Sequence, residues 1–599
     1  MPGLLLTLAC FSGFILAVHY AFKVKLAYSP VVSISFIGIV LYLCALSGYL
    51  KQGAQVLLFA GGVLALYFGN HIRKQSVQEK SSVKNFFALF AALSMIAFVL
   101  TLNMAFTVID DYVYWGIISK YLYLYDHLPI TGNPLDTRIL AYTPGTALIH
   151  YFFYVLPGKY SVDISYFAQA LILISALCVV SDTQNIKKTI SSIGCLILLM
   201  TIFAGSVFTK LQVDYLLSVF SFAIFWIYYT EEDLNLKLLI LFAPVCFLFL
   251  IKEIGFVLGL FILVMMLGDV LMDRGVKNRM RPVGMILMTG LGLLLLKKMW
   301  ASHIAAMGFA QFHTAIDRES VQKAVLIFTD QTAQKAVLIF VTDIFLGSAD
   351  RLNLPYVFWY AVIGFLGYRI FKHVKTPNTS RFFLFSAMVL FAFLLYLFLL
   401  YCMQIIIFGL GSSSDQTLGF SRYLNIVFSP IVFIAVLVFF QQLVFSRWQI
   451  SPRICIASVV VVLVLLGASR VEVYLNREKL DIHVQKVSGQ IAGKIEKGVH
   501  SIGVITNKTD NLANLQFLFY LLPNKVDYLP DVFETRADLM AYVAQHDYII
   551  CYRPRNQIFE WLKPFLKEQH TDLPDVTVLR VHADMPQSGS DLLLERISF

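Results

Sequence analysis

The sequence is poor in charge. Asp, Glu, Lys and Arg make up 14% of its 599 residues, whereas a soluble domain usually carries about 25%. Its eight cysteines form no CxxC pair, and all but Cys551 lie within or beside apolar runs, so we expect neither a disulfide framework nor a zinc site. The first apolar run has no basic segment before it, and another apolar run follows at once, so we expect no cleavable signal peptide.

Apolar residues are correspondingly abundant. They make up 58% of the chain, the mean hydropathy is +0.73, and apolar runs near the length of a membrane span recur. We therefore predict a polytopic α-helical membrane protein with about fourteen spans. The predicted spans are residues 3–22, 30–50, 53–69, 86–106, 162–181, 189–208, 211–229, 236–251, 254–271, 283–301, 356–371, 382–401, 425–444 and 454–472.

The net charge of +10 comes from 47 basic and 37 acidic residues. The basic residues concentrate in short loops, and with these spans five such loops fall on one side, as expected for the cytoplasmic face. We therefore expect no nucleic-acid partner. The long loops, roughly 107–161, 302–355, 402–424 and everything after 472, fall on the external side. Within the first of them, residues 142–161 are apolar but short, which favours a re-entrant or interfacial helix.

The composition changes after about residue 480. Stretches such as HSIGVITN, KVDYL, DYIICY and VTVLRV are typical of strands, and helical stretches alternate with them. This pattern predicts a small external α/β domain with a mostly parallel sheet. We place the domains at residues 1–475 (membrane) and 476–599 (α/β). GVITN is followed by no glycine-rich loop, so we expect no nucleotide site.

Two adjacent carboxylates, Asp110 and Asp111, open the first long external loop. The following stretch, YVYWGIISKYLYLY, mixes aromatic and aliphatic residues with Lys120, which favours an interfacial helix. A carboxylate in this position can deprotonate an incoming hydroxyl group.

Other ionisable residues lie at predicted external helix ends. Lys252 and Glu253 separate two apolar runs, and Arg422 and Tyr423 precede another. Ionisable residues at such positions are costly unless they are functional, paired or at the interface. Further candidates stand in the stretch FTKLQVDYLL, where Asp214 lies near the start of a predicted span and Lys210 is its expected partner one turn away.

These stretches together resemble a GT-C-type glycosyltransferase, the polytopic class that uses polyprenyl-phosphate-linked sugars. The class includes protein O-mannosyltransferases and the lipid A aminoarabinose transferase. The similarity rests on the acidic DD after a span, YTPGTALIHYFF, KLQVDYLL, IKEIG and SRYL followed by proline. Three spans precede the one that leads to Asp110, where many members have one. The subfamily, and with it the sugar, therefore stays open.

The resemblance implies an inverting transfer from a polyprenyl-phosphate donor to a hydroxyl of a surface glycan, glycolipid or protein. Asp110 would be the general base and Asp111 would orient the acceptor, or the two would exchange roles. Lys252 and Arg422 would stabilise the phosphate charge. Glu253 and Tyr423 would accompany them at the substrate, and Lys120, Arg138, Lys210 and Asp214 are secondary candidates for substrate binding.

The resemblance requires no metal or other cofactor, although some relatives use a divalent ion that two adjacent acids would help to hold. It also implies a bacterial cytoplasmic membrane with the site and the α/β domain on the periplasmic face. Two alternatives remain open. One is a polysaccharide polymerase or ligase, and the other is a transporter or flippase of lipid-linked glycans, in which internal repeats and polar residues near mid-membrane are typical.

Overall fold

The computed structural model describes residues 2–106, 109–130, 142–205, 208–272, 278–308, 331–373, 379–406, 419–441, 460–471 (except 462 and 469), 482–496, 498–506, 511–530, 533–554, 556–566, 576–582 and 593–597. In chain order its α-helices are α1 Pro2–Phe22, α2 Ser29–Leu46, α3 Leu50–Arg73, α4 Val77–Thr101, α5 Ile117–Tyr125, α6 Gly145–Val155, α7 Val162–Leu177, α8 Ile186–Ala204, α9 Val213–Thr230, α10 Leu234–Ile251, α11 Gly255–Met272, α12 Met280–Ala306, α13 Gln331–Leu346, α14 Tyr356–His373, α15 Thr379–Ile406, α16 Phe420–Phe439, α17 Ile482–Lys494, α18 Asn511–Leu521, α19 Arg536–Val543 and α20 Asn556–Leu562.

Eleven of these helices are long and apolar enough to cross a membrane: α1–α4, α7–α12 and α16. Each coincides with a predicted span, so the chain is a polytopic α-helical membrane protein. Helices α14 and α15 coincide with two more predicted spans. The last predicted span, 454–472, lies partly outside the described residues. The total of fourteen spans stays a prediction.

The apolar segment after Pro144 forms the short helix α6. Its eleven residues extend about 16 Å at 1.5 Å per residue, too short for a hydrocarbon layer of about 30 Å. Residues Gly145–Tyr154 are all buried, so this helix is enclosed by protein. This burial argues against a helix lying open on the lipid surface, and the re-entrant form stays a prediction.

The chain divides into two compact units. The first contains Met1–Met104 and Ala141–Val471, and the second contains Ala105–Leu140 and Glu472–Phe599. The sequence predicted a boundary after residue 475. The structure additionally assigns residues 106–125, which contain Asp110 and Asp111 and are called the acidic segment from here on, to the same unit as the C-terminal α/β domain.

Within the first unit, contacts between loops define the two ends of the helical bundle. At one end Lys25, which follows α1, forms an ion pair of 3.0 Å with Glu231, which follows α9. At the other end Asp163, at the start of α7, accepts a hydrogen bond of 2.8 Å from the backbone N–H of Met104. These contacts agree with the alternating direction that the predicted spans give these helices.

The C-terminal segment forms a five-stranded sheet with the order β2-β1-β3-β4-β5. Its strands are β1 Ser501–Thr506, β2 Lys525–Pro530, β3 Tyr548–Tyr552, β4 Val576–His582 and β5 Leu593–Ile597. The first four strands were predicted and are confirmed, whereas β5 was not predicted. The prediction of a mostly parallel sheet was wrong. Strand β1 pairs in parallel with β2 and β3, but β4 is antiparallel to both β3 and β5.

Candidate functional site

The first unit contains a buried carboxylate that binds two cations from distant parts of the chain. Asp214 is 4% exposed. Its Oδ1 forms a direct ion pair with Lys252 Nζ, and its Oδ2 lies 2.5 Å from Arg422 Nε. Hydrogen bonds between ionised partners are among the strongest in proteins. The sequence singled out all three residues, and the structure brings them together.

Each of the three residues lies at a helix end. Asp214 is in the first turn of α9, where the helix dipole favours a negative charge. Lys252 directly follows α10, and its N–H donates to the carbonyl oxygen of Leu248, so its cation lies at the end that favours positive charge. Arg422 is in the first turn of α16, and it therefore depends on Asp214 rather than on its own helix for compensation.

Tyr423 completes this cluster. Its ring centroid lies 5.0 Å from Lys252 Nζ, within range of a cation–π interaction. Its backbone carbonyl accepts a hydrogen bond of 2.8 Å from the hydroxyl of Tyr396. The start of α16 is therefore fixed on the side where Arg422 reaches Asp214.

Lys210 contacts a backbone carbonyl oxygen rather than Asp214, its predicted partner. Its Nζ donates a hydrogen bond of 3.4 Å to the carbonyl oxygen of Ala204, while the ion pairs of Asp214 are formed with Lys252 and Arg422. The predicted pairing assumed helical spacing, but α9 begins only at Val213. Lys210 therefore does not share a helix face with Asp214.

A cavity of about 210 Å³ opens beside Asp214 and Arg422. Its polar lining includes Gln169, Lys210, Gln212, Ser218, Asn425 and Ser429. Among the described lining residues, the cations Lys210 and Arg422 outnumber the single carboxylate of Asp214, so the charge of the cavity is net positive. Lys252 is not part of this described lining, and it contacts the cavity through its ion pair with Asp214. A polar, positively charged cavity suits an anionic group such as a phosphate.

The amides of this cavity were not predicted from the sequence. Gln169 Nε2 donates to the carbonyl oxygen of Leu211 (3.3 Å), and its Oε1 lies 3.1 Å from His150 Nε2. Asn425 Nδ2 donates to the carbonyl oxygen of Ala349 (2.9 Å). A signal for Asn425 did exist, because it lies one turn after Arg422 on the same helix face.

Arg351, another residue near this cavity, was also not predicted from the sequence. It lies in the loop between α13 and α14, and its backbone N–H donates a hydrogen bond of 3.0 Å to the carbonyl oxygen of Ile202. Its guanidinium lies against Gly205, where a Cβ would be only 1.9 Å from Arg351 Cζ and where φ is +79°. Since Phe203 and Ala204 line the cavity, this exposed cation lies close to the cavity rim.

Glu253 lies apart from the polar cavity, whose described lining does not include it. Burial raises the pKa of its carboxyl group, and the nearby Lys297 of α12 partly opposes that shift. Arg138, the remaining cation predicted for the substrate, lies outside the described residues.

An apolar groove of about 450 Å³ lies between α14, α15 and α16. Its lining includes Gly364, Gly367, Phe393, Phe428, Ile431 and Val438. Helix α16 contributes to both spaces: Arg422, Asn425 and Ser429 line the polar cavity. The spacing of the two sets places them on different faces of one helix.

The acidic segment lies in the second unit. Asp111–Gly116 form a π-helix that continues directly into α5, and π-helical turns are frequent at functional sites. Gly116 permits this packing, because a Cβ there would lie 2.3 Å from the Phe106 ring and 2.5 Å from the carbonyl oxygen of Asp111. Asp111 is fully buried, whereas Asp110 is partly exposed.

These exposures bear on the roles that the sequence left open. A partly exposed carboxylate is accessible to a ligand, and a fully buried one is better suited to hold the local structure. Which of the two carboxylates would react stays a prediction. The predicted interfacial helix needs a correction. The segment is helical, but Tyr112, Trp115, Ile118 and Tyr121 are buried in protein rather than lying open at a membrane surface.

Lys120 is held by backbone oxygens. Its Nζ donates to the carbonyl oxygens of Phe519 (2.6 Å) and Tyr520 (3.3 Å), both in α18 of the same unit. This contact accounts for the position of Lys120 without a substrate.

Within the described residues no group of three or more His, Cys, Asp or Glu side chains is arranged to hold a metal ion.

No protein-family model and no curated protein matches this chain in sequence. The fold and the site therefore define its class: a polytopic α-helical membrane protein with a small α/β domain and a positively charged polar cavity at one end of its helical bundle.

Replacing Asp214 with Asn tests the ion-pair cluster. Asn keeps the shape of the side chain but leaves Lys252, whose side chain is 12% exposed, without its counter-charge. Breaking a buried pair costs about 3 kcal/mol, and we expect slightly less here because Arg422 is one-third exposed. The Tm of the purified protein should fall by several degrees.

The control for this substitution is Asp182→Asn, which removes one side of the partly exposed ion pair with Lys188 (3.6 Å). Such pairs contribute about 0–1 kcal/mol, so its Tm should barely change. Equal Tm values for the two variants would show that the Asp214 cluster does not stabilise the bundle.

Proposed function

We propose that the chain is an inverting glycosyltransferase that moves a sugar from a polyprenyl-phosphate donor to a hydroxyl acceptor. The observation that supports this most is that α16 lines two spaces of different chemical character. One face of it lines a cavity with net positive charge, and another lines an apolar groove. A donor with an anionic head and a long isoprenoid tail has this same division into a charged and an apolar part.

In the proposed reaction the phosphate of the donor binds at Lys252 and Arg422, and Lys210 lines the polar cavity beside Arg422. Asp110 takes the proton of the acceptor hydroxyl, and the hydroxyl oxygen attacks the anomeric carbon of the sugar. The bond between that carbon and the phosphate oxygen breaks with inversion, and polyprenyl phosphate leaves with the electron pair. The cations stabilise the charge that grows on the phosphate.

The proposed acceptor is a hydroxyl group of a surface glycan, glycolipid or protein. We place the reaction on the external face of a bacterial cytoplasmic membrane, because the basic short loops fall on the opposite side of the predicted spans. The reaction requires no metal in principle, since fixed cations hold a phosphate leaving group.

Lipid binding to the purified protein tests the donor half of this proposal. We expect polyprenyl phosphate to raise the Tm, because a ligand that binds only the folded state stabilises it. Polyprenol has the tail without the charge, and inorganic phosphate has the charge without the tail, so each should raise the Tm much less. Equal shifts for polyprenol and polyprenyl phosphate would contradict a phosphate site at the cavity.

A further inference from the structure

The acidic segment packs against one helix of the C-terminal α/β domain. Lys120, in α5, donates from its Nζ to the carbonyl oxygens of Phe519 (2.6 Å) and Tyr520 (3.3 Å). Both carbonyls belong to the last turn of α18, which ends at Leu521. The contact therefore joins two parts of the sequence that are almost 400 residues apart.

The last carbonyl groups of a helix lack partners within the helix, and they favour a cation because the helix dipole is negative there. Helix α18 has no basic residue in its own last turn, and Lys120 supplies one from the acidic segment. Burial lowers the pKa of Lys120 to about 8. Its Nζ also lies 4.8 Å from the Phe519 ring centroid.

Other contacts fix the segment along its length. Towards its end, the hydroxyl of Tyr125 donates to the carbonyl oxygen of Pro523 (3.3 Å). Near its start, the rings of Phe106 and Tyr112 pack on Phe519, with centroid distances of 5.1 and 5.6 Å. The segment is therefore held on both sides of Asp110 and Asp111 and again at Lys120.

We propose that the C-terminal α/β domain holds the acidic segment in its working position, and that Lys120 is the positioning residue of this contact. The proposal rests on the proposed function, in which Asp110 is the general base. It gives the α/β domain a part in the reaction without requiring it to bind donor or acceptor.

The helical geometry accounts for how a contact at Lys120 would act at Asp110. Asp111–Gly116 and α5 form one unbroken helical stretch, so a shift at its far end is transmitted to its beginning. A misplacement of about 1 Å at reacting groups can reduce a rate by about a hundredfold. Losing the Lys120 contact should thus lower kcat while the donor KM, set by the cations of the polar cavity, stays nearly constant.

The test is Lys120→Met in the full-length protein. We expect kcat to fall by a factor of about 10 to 100 with a donor KM within twofold of wild type, and amide hydrogen exchange of residues 111–125 to become faster. Lys120→Arg, whose guanidinium can also donate to the two carbonyls, should restore most of both properties. The control is Lys525→Met, which makes the same change at an exposed lysine of the same domain.

The outcomes separate this inference from the proposed function. Faster exchange over residues 111–125 with an unchanged kcat would show that the contact is structural only, and would overturn the positioning role while the transferase proposal stands. If Asp110→Asn retains wild-type turnover, the proposed function fails and this inference fails with it. If Lys120→Met does not accumulate in the membrane, Lys120→Arg and Tyr125→Phe are compared instead. The cationic contact would be overturned if Tyr125→Phe has wild-type exchange and kcat while Lys120→Arg, which keeps the charge, has faster exchange over residues 111–125 and a reduced kcat.

Discussion

Asp110→Asn is expected to lower kcat for sugar transfer by a factor of about 10² to 10⁴, the usual contribution of a general base. The amide has nearly the shape of the carboxylate but cannot take the proton of the acceptor hydroxyl. Because Asp110 is partly exposed, the substitution should not disturb packing. Membrane insertion and Tm should therefore remain as in the wild type, and the donor KM should change little.

The control is Asp126→Asn, the same substitution at the other end of the helical stretch. Asp126 has a left-handed backbone conformation with φ of +56°, which Asn also adopts readily. We expect full activity in this variant. A wild-type rate in Asp110→Asn would remove Asp110 from the mechanism, and equal losses in both variants would point to a disturbed segment rather than a lost base.

Arg422→Ala is expected to raise the donor KM by about tenfold to a hundredfold, corresponding to the loss of a charge-assisted hydrogen bond of about 1.5–3 kcal/mol. Arg422 is one-third exposed and lines the polar cavity, so part of its guanidinium is accessible to a ligand while Nε is bound to Asp214. The measurement is the initial rate of transfer at varied donor concentration.

Two further variants make this result specific. Arg422→Lys keeps the charge but loses the planar guanidinium, so the donor KM should lie between those of the wild type and Arg422→Ala. Arg369→Ala removes an exposed arginine of α14 and should leave the KM unchanged. If Arg422→Ala also leaves it unchanged, the phosphate of the donor binds elsewhere.

The spans were the easiest part of the fold to predict, because soluble domains rarely contain a run of apolar residues near the length of a bilayer. The strands β1 and β3 were equally accessible: Ile502–Ile505 and Tyr548–Tyr552 are short runs rich in β-branched or aromatic residues. The direction of β4 could not be predicted, because the helix α20 between β3 and β4 suggested a parallel crossover. Alternation of strands and helices does not itself fix strand direction.

The residues of the ion-pair cluster could be found from the sequence, because ionisable groups at the ends of apolar runs are unusual. Their pairing could not. Lys252 and Arg422 lie 38 and 208 residues from Asp214, and only tertiary packing brings them together. The local rule that favoured Lys210 failed because the helix begins after that residue.

The acidic segment shows the same limit. Its aromatic and aliphatic residues correctly predicted a helix with an apolar surface. The pattern favoured a membrane interface as the partner of that surface, whereas the helix packs on α18 at the far end of the sequence. An amphipathic pattern indicates that a face is covered but not what covers it. Likewise, Gln169 is one amide within a long apolar run, and nothing in the sequence indicated that it lines a cavity.

The most direct test of the proposed transfer is the release of polyprenyl phosphate. The purified protein, in vesicles, would be incubated with lipid-linked sugars and surface glycans extracted from cells that produce it, and the free polyprenyl phosphate would be measured. We predict that the wild-type protein releases one polyprenyl phosphate for each sugar transferred and that Asp110→Asn releases almost none. Release of polyprenyl diphosphate instead, or equal release by both proteins, would contradict the proposed reaction.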